Sequence, residues 1–149
     1  MKIVVLDGYL VNHDRQPWEV AERFPDLVWY DEPPDDEAAA RIGDAEAVFV
    51  NRIRLDRTVL ERCRKLRYIG VFGTGYNIID LPAAAERGVT ICNVPAYSSY
   101  AVAQHAMALL LAVTNRAAEF SGYVKAGNWR LPADPGVTAV PMLELSGKT

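Results

Sequence analysis

Short apolar runs alternate with segments of helical spacing over most of this 149-residue chain. The runs expected to form strands are Ile3–Leu6, Leu27–Tyr30, Ala47–Val50, Tyr68–Phe72 and Val89–Cys92. A continuous apolar run is typical of a parallel strand that is covered on both faces. Strands that alternate with helices in this way predict an α/β fold with a flavodoxin-like, doubly wound parallel sheet of five strands.

Residues that begin or end helices occur between these runs. Acidic and capping residues favour a helix start, whereas proline and glycine favour a helix end or first turn. The first predicted helix covers Trp18–Phe24 and ends before Pro25, and the second begins at Asp35, Asp36 and Glu37. The third runs from its cap Asp56 to about Arg62. The fourth runs from its cap Asp80 to Gly88, with Pro82 near its first turn.

A long apolar helix follows the last predicted strand and is opened by Ser98 or Ser99. Between Ala101 and Val113 its only polar residues are Gln104 and His105. A helix that is apolar all round is normally buried on all sides, and one small sheet cannot cover it, so a second domain or subunit is expected to do so. The sequence therefore predicts a flavodoxin-like domain over residues 1–100, and a long helix with an irregular arm over residues 101–149.

Composition narrows the possible classes of function. Half of the residues are hydrophobic and the net charge is −3, without a basic stripe that would indicate nucleic-acid binding. The amino terminus lacks a signal peptide, and the apolar run Ala106–Val113 is too short to span a bilayer, so a soluble cytoplasmic protein is predicted. Cys63 and Cys92 are expected to be reduced thiols packed as small apolar groups, and the two histidines have no metal-ligand spacing.

Ligands of doubly wound sheets bind outside the carboxyl ends of the strands. Those ends are predicted at Asp7–Gly8, Tyr30–Asp31, Asn51–Arg54, Gly73–Gly75 and Asn93–Tyr97. A response-regulator receiver has an acidic pocket at this edge and needs an aspartate after the third strand. This chain has Asn51 there, so Asp7 is not assigned to such a pocket.

The glycine loop Gly73-Thr74-Gly75 follows the fourth predicted strand. Glycine tolerates positive φ and has no side chain, so a ligand can approach the backbone, and consecutive N–H groups can hold an anion. On the loop alone, an ordinary tight turn is an equally good interpretation. Arg52 and Arg54 could offer a second contact to an organic acid, or they could be solvated surface arginines.

The stretch Tyr68–Ala112 carries a family resemblance, through Tyr-Ile-Gly-Val-Phe-Gly-Thr-Gly-Tyr-Asn, Cys-Asn-Val-Pro-Ala-Tyr-Ser-Ser and Ala-Val-Ala-Gln-His-Ala. It resembles the substrate-binding half of the D-isomer-specific 2-hydroxyacid dehydrogenases. The form Thr-Gly-Tyr-Asn is most similar to the glycerate dehydrogenase and hydroxypyruvate reductase branch. The resemblance implies an oxidoreductase that interconverts 2-keto acids, such as hydroxypyruvate, and D-2-hydroxy acids with NAD or NADP.

The same resemblance implies where the small acid binds. The backbone amides of Thr74 and Gly75, together with Gly73, would hold the substrate carboxylate, and Asn77 would brace the loop. The resembling branch usually has a basic residue at Arg52, which is therefore ranked above Arg54.

The loop before the long helix and the helix itself are assigned by resemblance as well. Tyr97 and Ser98 would lie near the nicotinamide side of the cofactor, although Ser98 is also a suitable N-cap. His105 is a candidate catalytic base because histidine titrates near neutral pH. It is rejected because it lies within the apolar helix with no carboxylate three or four residues away. The family resemblance implies a structural role for it.

No catalytic residue is assigned within these residues. The family's arginine, glutamate and histidine lie beyond a G-x-G-x-x-G dinucleotide motif, which does not occur here. A truncated chain is therefore expected: the dinucleotide would be bound mainly by an absent domain, the fragment alone would be inactive, and the long helix and the arm with Trp129 would form a homodimer. A stand-alone flavodoxin-like module that binds a small acid, and a purely structural dimerisation domain, remain alternatives.

Overall fold

The computed structural model describes residues 1–14, 19–32, 37–130 and 141–148, and only the backbone of Val20. These residues fall into two compact units, Met1–Tyr97 and Ser98–Thr149. The helix signals predicted at Trp18, Asp35 and Asp36, and the part of the predicted arm at residues 131–140, lie outside the described residues.

A parallel sheet forms the centre of the first unit. Its strands are β1 Ile3–Val5, β2 Leu27–Trp29, β3 Ala47–Val50, β4 Tyr68–Val71 and β5 Thr90–Cys92, in the order β2-β1-β3-β4-β5. In the register, Val4 pairs with both Val28 and Val48. This strand order is that of flavodoxin-like doubly wound folds, so the predicted fold class is confirmed.

Short helices connect the strands of the first unit. They are a 3-10 helix at Gly8–Leu10, α1 Glu19–Glu22, α2 Ala38–Ile42, α3 Arg57–Arg62 and α4 Leu81–Glu86. The predicted caps of the last two helices form, since the carboxylate of Asp56 accepts from the N–H of Val59 at 3.0 Å and that of Asp80 from the N–H of Ala83 at 2.9 Å. After α4 the chain turns at Gly88, whose φ of +66° explains the glycine there.

The main core lies on one face of the sheet. Alternate strand residues, among them Val4, Val48 and Ile69, pack in one cluster with buried residues of α2, α3 and α4 such as Ile42 and Leu60. Each fully buried Leu, Ile or Val contributes about 1.5–3 kcal/mol relative to an exposed one. This face therefore carries the buried core cluster of the unit.

The opposite face of the sheet borders an apolar cleft of about 460 Å³. Trp29, Phe49 and Tyr68 line it, and the ring of Phe49 stacks on Phe72 with centroids 5.3 Å apart. Gly70 is required by this packing, because a Cβ there would lie 2.4 Å from the ring of Phe49.

The second unit contains α5 Ser99–Thr114 and α6 Ala117–Lys125, joined at Arg116 in the left-handed region with φ of +51°. The N–H of Leu143 donates to the C=O of Thr114 at 3.0 Å. Large apolar side chains of α5 are exposed, namely Val102, Met107, Leu109, Leu110, Leu111 and Val113. We predicted from the sequence that another domain or subunit buries this helix, and that stays a prediction.

The two cysteines differ in exposure. Cys63 is fully buried directly after α3, as predicted, but Cys92 is exposed. The prediction was wrong for Cys92 because it ends β5, an edge strand with a neighbour on one side only. No helix in the described ranges is long and apolar enough to cross a membrane.

Candidate functional site

A buried carboxylate lies at the carboxyl edge of the sheet between β1 and β3. Asp7, with an exposed fraction of 3%, accepts the N–H groups of Asn51 at 2.7 Å, Arg52 at 2.5 Å and Ile53 at 3.1 Å. In this strand order the β1/β3 gap is the topological switch point, where a ligand is first expected. The protein's own carboxylate occupies the anion-binding backbone groups there.

The glycine loop after β4 is attached to the loop after β5. The hydroxyl of Thr74 donates to the C=O of Val94 at 3.0 Å, and the side-chain amide of Asn93 donates to the C=O of Thr74 at 2.8 Å. The N–H of Val94 donates to the C=O of Gly73 at 3.0 Å. Three hydrogen bonds thus fix the beginning of the loop from the β5 side.

The end of the same loop is attached to the segment after β3. The N–H of Leu55 donates to the C=O of Ile78 at 2.9 Å, and the N–H of Asp80 donates to the C=O of Leu55 at 3.0 Å. Leu55 and Ile79 form an isolated parallel bridge. The glycine loop is therefore held at both ends, which fixes its backbone in advance of any ligand.

Two adjacent N–H groups remain available in this loop. Over the described residues, neither the N–H of Thr74 nor that of Gly75 has a protein acceptor, and residues 74–77 are exposed. Two neighbouring backbone N–H groups that face no internal acceptor can bind a carboxylate. That these groups bind a substrate carboxylate stays a prediction.

The two glycines of the loop do not adopt the left-handed conformation that glycine permits. Neither Gly73 nor Gly75 has a positive φ. A Cβ on Gly75 would lie 3.2 Å from Oδ1 of Asn77, and one on Gly73 would lie 3.7 Å from Oδ1 of Asn51. Asn77 thus lies against Gly75, and its bracing role stays a prediction.

The two candidate arginines have different surroundings. Nη2 of Arg52 lies 2.8 Å from Oε1 of Glu32, which follows β2, whereas the glycine loop follows β4 on the other side of β3. Arg54 is exposed, has no acidic partner among the described residues, and directly precedes Leu55. The sequence ranked Arg52 first, but Arg54 is adjacent to the backbone that holds the loop.

Tyr97 and Ser98 lie where the two units meet in sequence. Tyr97 is exposed, and the preceding Ala96 has a φ of +59°. Ser98 occupies the N-cap position of α5, but its side chain makes no capping hydrogen bond. That Tyr97 and Ser98 lie near a cofactor stays a prediction.

Sequence reasoning gave no role at this edge to Asp7, Asn51 or Asn93. Each is a polar residue within two positions of the end of a strand, and that position is the signal that could have identified them. Which partner each one binds depends on the strand order.

A dinucleotide does not fit the glycine loop. A pyrophosphate needs a helix N-terminus without a nearby negative charge, and the carboxylate of Asp80 already caps α4. The helix N-terminus that follows the loop is therefore already occupied by a carboxylate of the protein itself.

Comparison with known proteins gives the family. The profile described as "D-isomer specific 2-hydroxyacid dehydrogenase, catalytic domain" matches residues 3–138. A hydroxypyruvate reductase of Blautia hydrogenotrophica is 37% identical over 151 aligned residues, which are 99% of this chain and 47% of that protein. The chain thus spans about half the length of this relative.

Solved structures agree with this result. The apo-structure of D-lactate dehydrogenase from Escherichia coli superposes with a TM-score of 0.63 at 28% identity, over 88% of this chain and 43% of that one. The acyclic imino acid reductase Bsp5, in complex with NADPH and D-Arg, shares the fold with a TM-score of 0.73 at 24% identity, over 88% and 43%. The chain belongs to the D-isomer specific 2-hydroxyacid dehydrogenase family.

Proposed function

We propose that this chain forms the substrate-binding part of an NAD(P)-dependent D-2-hydroxyacid dehydrogenase that reduces hydroxypyruvate or a similar 2-keto acid reversibly. The observation that carries the proposal is the pair of unpaired N–H groups at Thr74 and Gly75 in a loop held at both ends. The relative that is named a hydroxypyruvate reductase supports this substrate class.

The loop binds the substrate through its carboxylate. Both carboxylate oxygens accept from the N–H groups of Thr74 and Gly75, donors that cannot rotate away because hydrogen bonds fix the loop. Preorganised donors of this kind lose little free energy to rearrangement when the ligand binds. Holding the carboxylate fixes the position of the adjacent keto carbon, and Arg54 or Arg52 provides a second cationic contact.

The nicotinamide cofactor, NAD or NADP, supplies the hydride and is bound by a domain outside residues 1–149. No G-x-G-x-x-G motif occurs within these residues, and the glycine loop does not fit a pyrophosphate. In this proposal Tyr97 and Ser98 lie near the nicotinamide side of the cofactor. The purified polypeptide of residues 1–149 is accordingly expected not to oxidise NADH with hydroxypyruvate, and measurable turnover in that assay would contradict this assignment.

The change Gly75→Val in the full-length enzyme tests the carboxylate site. The new side chain meets Asn77, because even a Cβ at Gly75 would lie 3.2 Å from its Oδ1. We expect KM for hydroxypyruvate to rise and kcat to fall, together lowering kcat/KM by about a hundredfold, which corresponds to roughly 2.7 kcal/mol. Steady-state kinetics that follow NADH absorbance measure both constants.

The control for this experiment is Ala85→Val. It adds two methyl groups at an exposed position of α4 and should leave both kinetic constants unchanged. If Gly75→Val retains normal kinetics, the glycine loop does not bind substrate. If the isolated chain binds glycerate tightly in calorimetry but the full-length protein shows no turnover, a small-acid binding module becomes the better assignment.

The exposed apolar surface of α5 supports a homodimer, with a second copy of the chain as the partner. Met107 and Val113 are 53% and 75% exposed, and Gln104 and His105 are the only polar residues between Ala101 and Val113 of this helix. Light scattering on the full-length protein should give a dimer mass that Met107→Glu reduces to a monomer. Thr58→Glu, on the exposed surface of α3, is the control, and a monomeric wild type would remove the dimer from the proposal.

A further inference from the structure

We propose that Asp7 is a positioning residue for the substrate site, which acts by fixing the segment of residues 51–55 that holds the glycine loop. This inference rests on the proposed function. Asp7 touches neither the proposed substrate position nor the reacting atoms.

Asp7 is a buried carboxylate that has no cationic partner among the residues that the structure describes. Its oxygens instead accept three consecutive backbone N–H groups, from Asn51, Arg52 and Ile53. Hydrogen bonds to an ionised group are stronger than those between neutral groups, and they set the direction of the backbone donors. The first three residues after β3 are thereby fixed to the end of β1.

The fixed segment continues directly to the glycine loop. Leu55, two residues beyond Ile53, exchanges backbone hydrogen bonds with Ile78 and Asp80 at the end of the loop. A displacement of residues 51–53 would therefore be transmitted through Leu55 to the end of the loop that carries Thr74 and Gly75.

The sheet itself does not need this carboxylate. The ladder between β1 and β3 is complete through Val5 and Phe49, and the N–H of Leu6 donates to the C=O of Phe49 at 3.0 Å. Asp7 lies beyond these bonds, where the chain leaves the sheet. Its hydrogen bonds determine the course of the loop after β3, and that course sets the geometry of the substrate site.

The test is Asp7→Asn in the full-length enzyme. The amide keeps the shape of the side chain, but its NH₂ group cannot accept, so at least one of the three N–H bonds is lost. We expect KM for hydroxypyruvate to rise about tenfold, with kcat within about threefold of the wild type, since the loss affects ground state and transition state equally. The KM for NADH should not change.

The matched control is Asp56→Ala. This aspartate also accepts a backbone N–H, as the N-cap of α3, and its loss costs about 1 kcal/mol of stability. If Asp7 has only a structural role, both variants should lower the melting temperature and neither should change KM. An unchanged KM in Asp7→Asn, or an equal rise in Asp56→Ala, would overturn the inference.

A second variant and a second measurement cover the case in which Asp7→Asn does not fold. Asp7→Ser retains one accepting oxygen and should show the same rise in KM. If that variant also fails to fold, hydrogen exchange on the wild type decides, because the amides of residues 51–53 must exchange slowly while those of Thr74 and Gly75 exchange fast until substrate is added. Fast exchange at residues 51–53 would refute the role of Asp7.

The outcomes separate this inference from the proposed function. A wild-type enzyme without hydroxypyruvate-dependent loss of NADH contradicts the proposed function. An active wild type in which Gly75→Val is impaired and Asp7→Asn has a normal KM contradicts only the inference on Asp7.

Discussion

At the scale of single residues, two sets of backbone N–H groups at one sheet edge differ in what they bind. Those of residues 51–53 are paired with the carboxylate of Asp7, while those of Thr74 and Gly75 have no acceptor among the described residues. An internal carboxylate thus occupies the switch point between β1 and β3. The N–H groups that keep no internal acceptor lie at the loop after β4, where we propose that the substrate binds.

The two thiols differ in burial, and therefore in their expected reactivity. Burial raises the pKa of Cys63, whereas Cys92 is exposed at the end of β5. A buried thiol with a raised pKa forms little thiolate near neutral pH, and thiolate is the form that reacts.

We therefore expect iodoacetamide to modify Cys92 in the folded protein at about pH 8 and to modify Cys63 only after unfolding. Peptide mass spectrometry after timed labelling measures both rates. Cys92→Ser should leave an almost unreactive folded protein, and rapid modification of Cys63 in that variant would show that the thiol is not buried.

At the scale of elements, short strands are held by specific packing between neighbours. In β4, Gly70 faces the ring of Phe49 from the neighbouring strand β3. The same ring stacks on Phe72, just after β4. The strand pattern at this position is interrupted by a glycine because the aromatic ring occupies the space of a side chain.

Gly70→Ala should destabilise the protein by about 1–3 kcal/mol, because the new methyl group would lie 2.4 Å from the ring of Phe49 and force it to move. Urea unfolding followed by circular dichroism measures the change. Gly122→Ala in α6 is the control, since its Cβ would meet nothing within 4 Å and alanine favours a helix. Equal stability of the two variants would contradict the packing argument.

At the scale of the whole molecule, the two units differ in how they bury apolar side chains. Every residue of the main core cluster lies between Val4 and Ile91, within the first unit. In the second unit, α5 has Thr114 as its buried residue, while most of its large apolar side chains are exposed. The first unit has a complete core of its own, and the second has none among the described residues.

A polypeptide of residues 1–97 should therefore fold without the rest of the chain. We expect one cooperative urea transition and a dispersed amide NMR spectrum, because all strands and the core cluster are present. A polypeptide of residues 98–149 is the counterpart and should unfold without cooperativity. A disordered 1–97 polypeptide would show that the core needs residues beyond Tyr97.

The sequence alone determined the elements, the fold class and the candidate loop. Strand runs, the caps Asp56 and Asp80 and the glycines of residues 73–75 are signals within a few neighbouring residues, so pattern and propensity are sufficient to locate them. Strand ends differed by about one residue, since the last residue of an apolar run need not join the ladder.

Only the tertiary structure decided which groups distant in sequence contact one another and which side chains are exposed. Asp7 binds residues 51–53 across 44 to 46 positions of sequence, Arg52 pairs with Glu32, and Cys92 is exposed because β5 is an edge strand. Each of these facts depends on the spatial order of the strands. Hydrophobic periodicity specifies the strands but not their neighbours. The location of the loops could therefore be predicted from the sequence, whereas the fold determined which loop keeps backbone N–H groups without an internal acceptor.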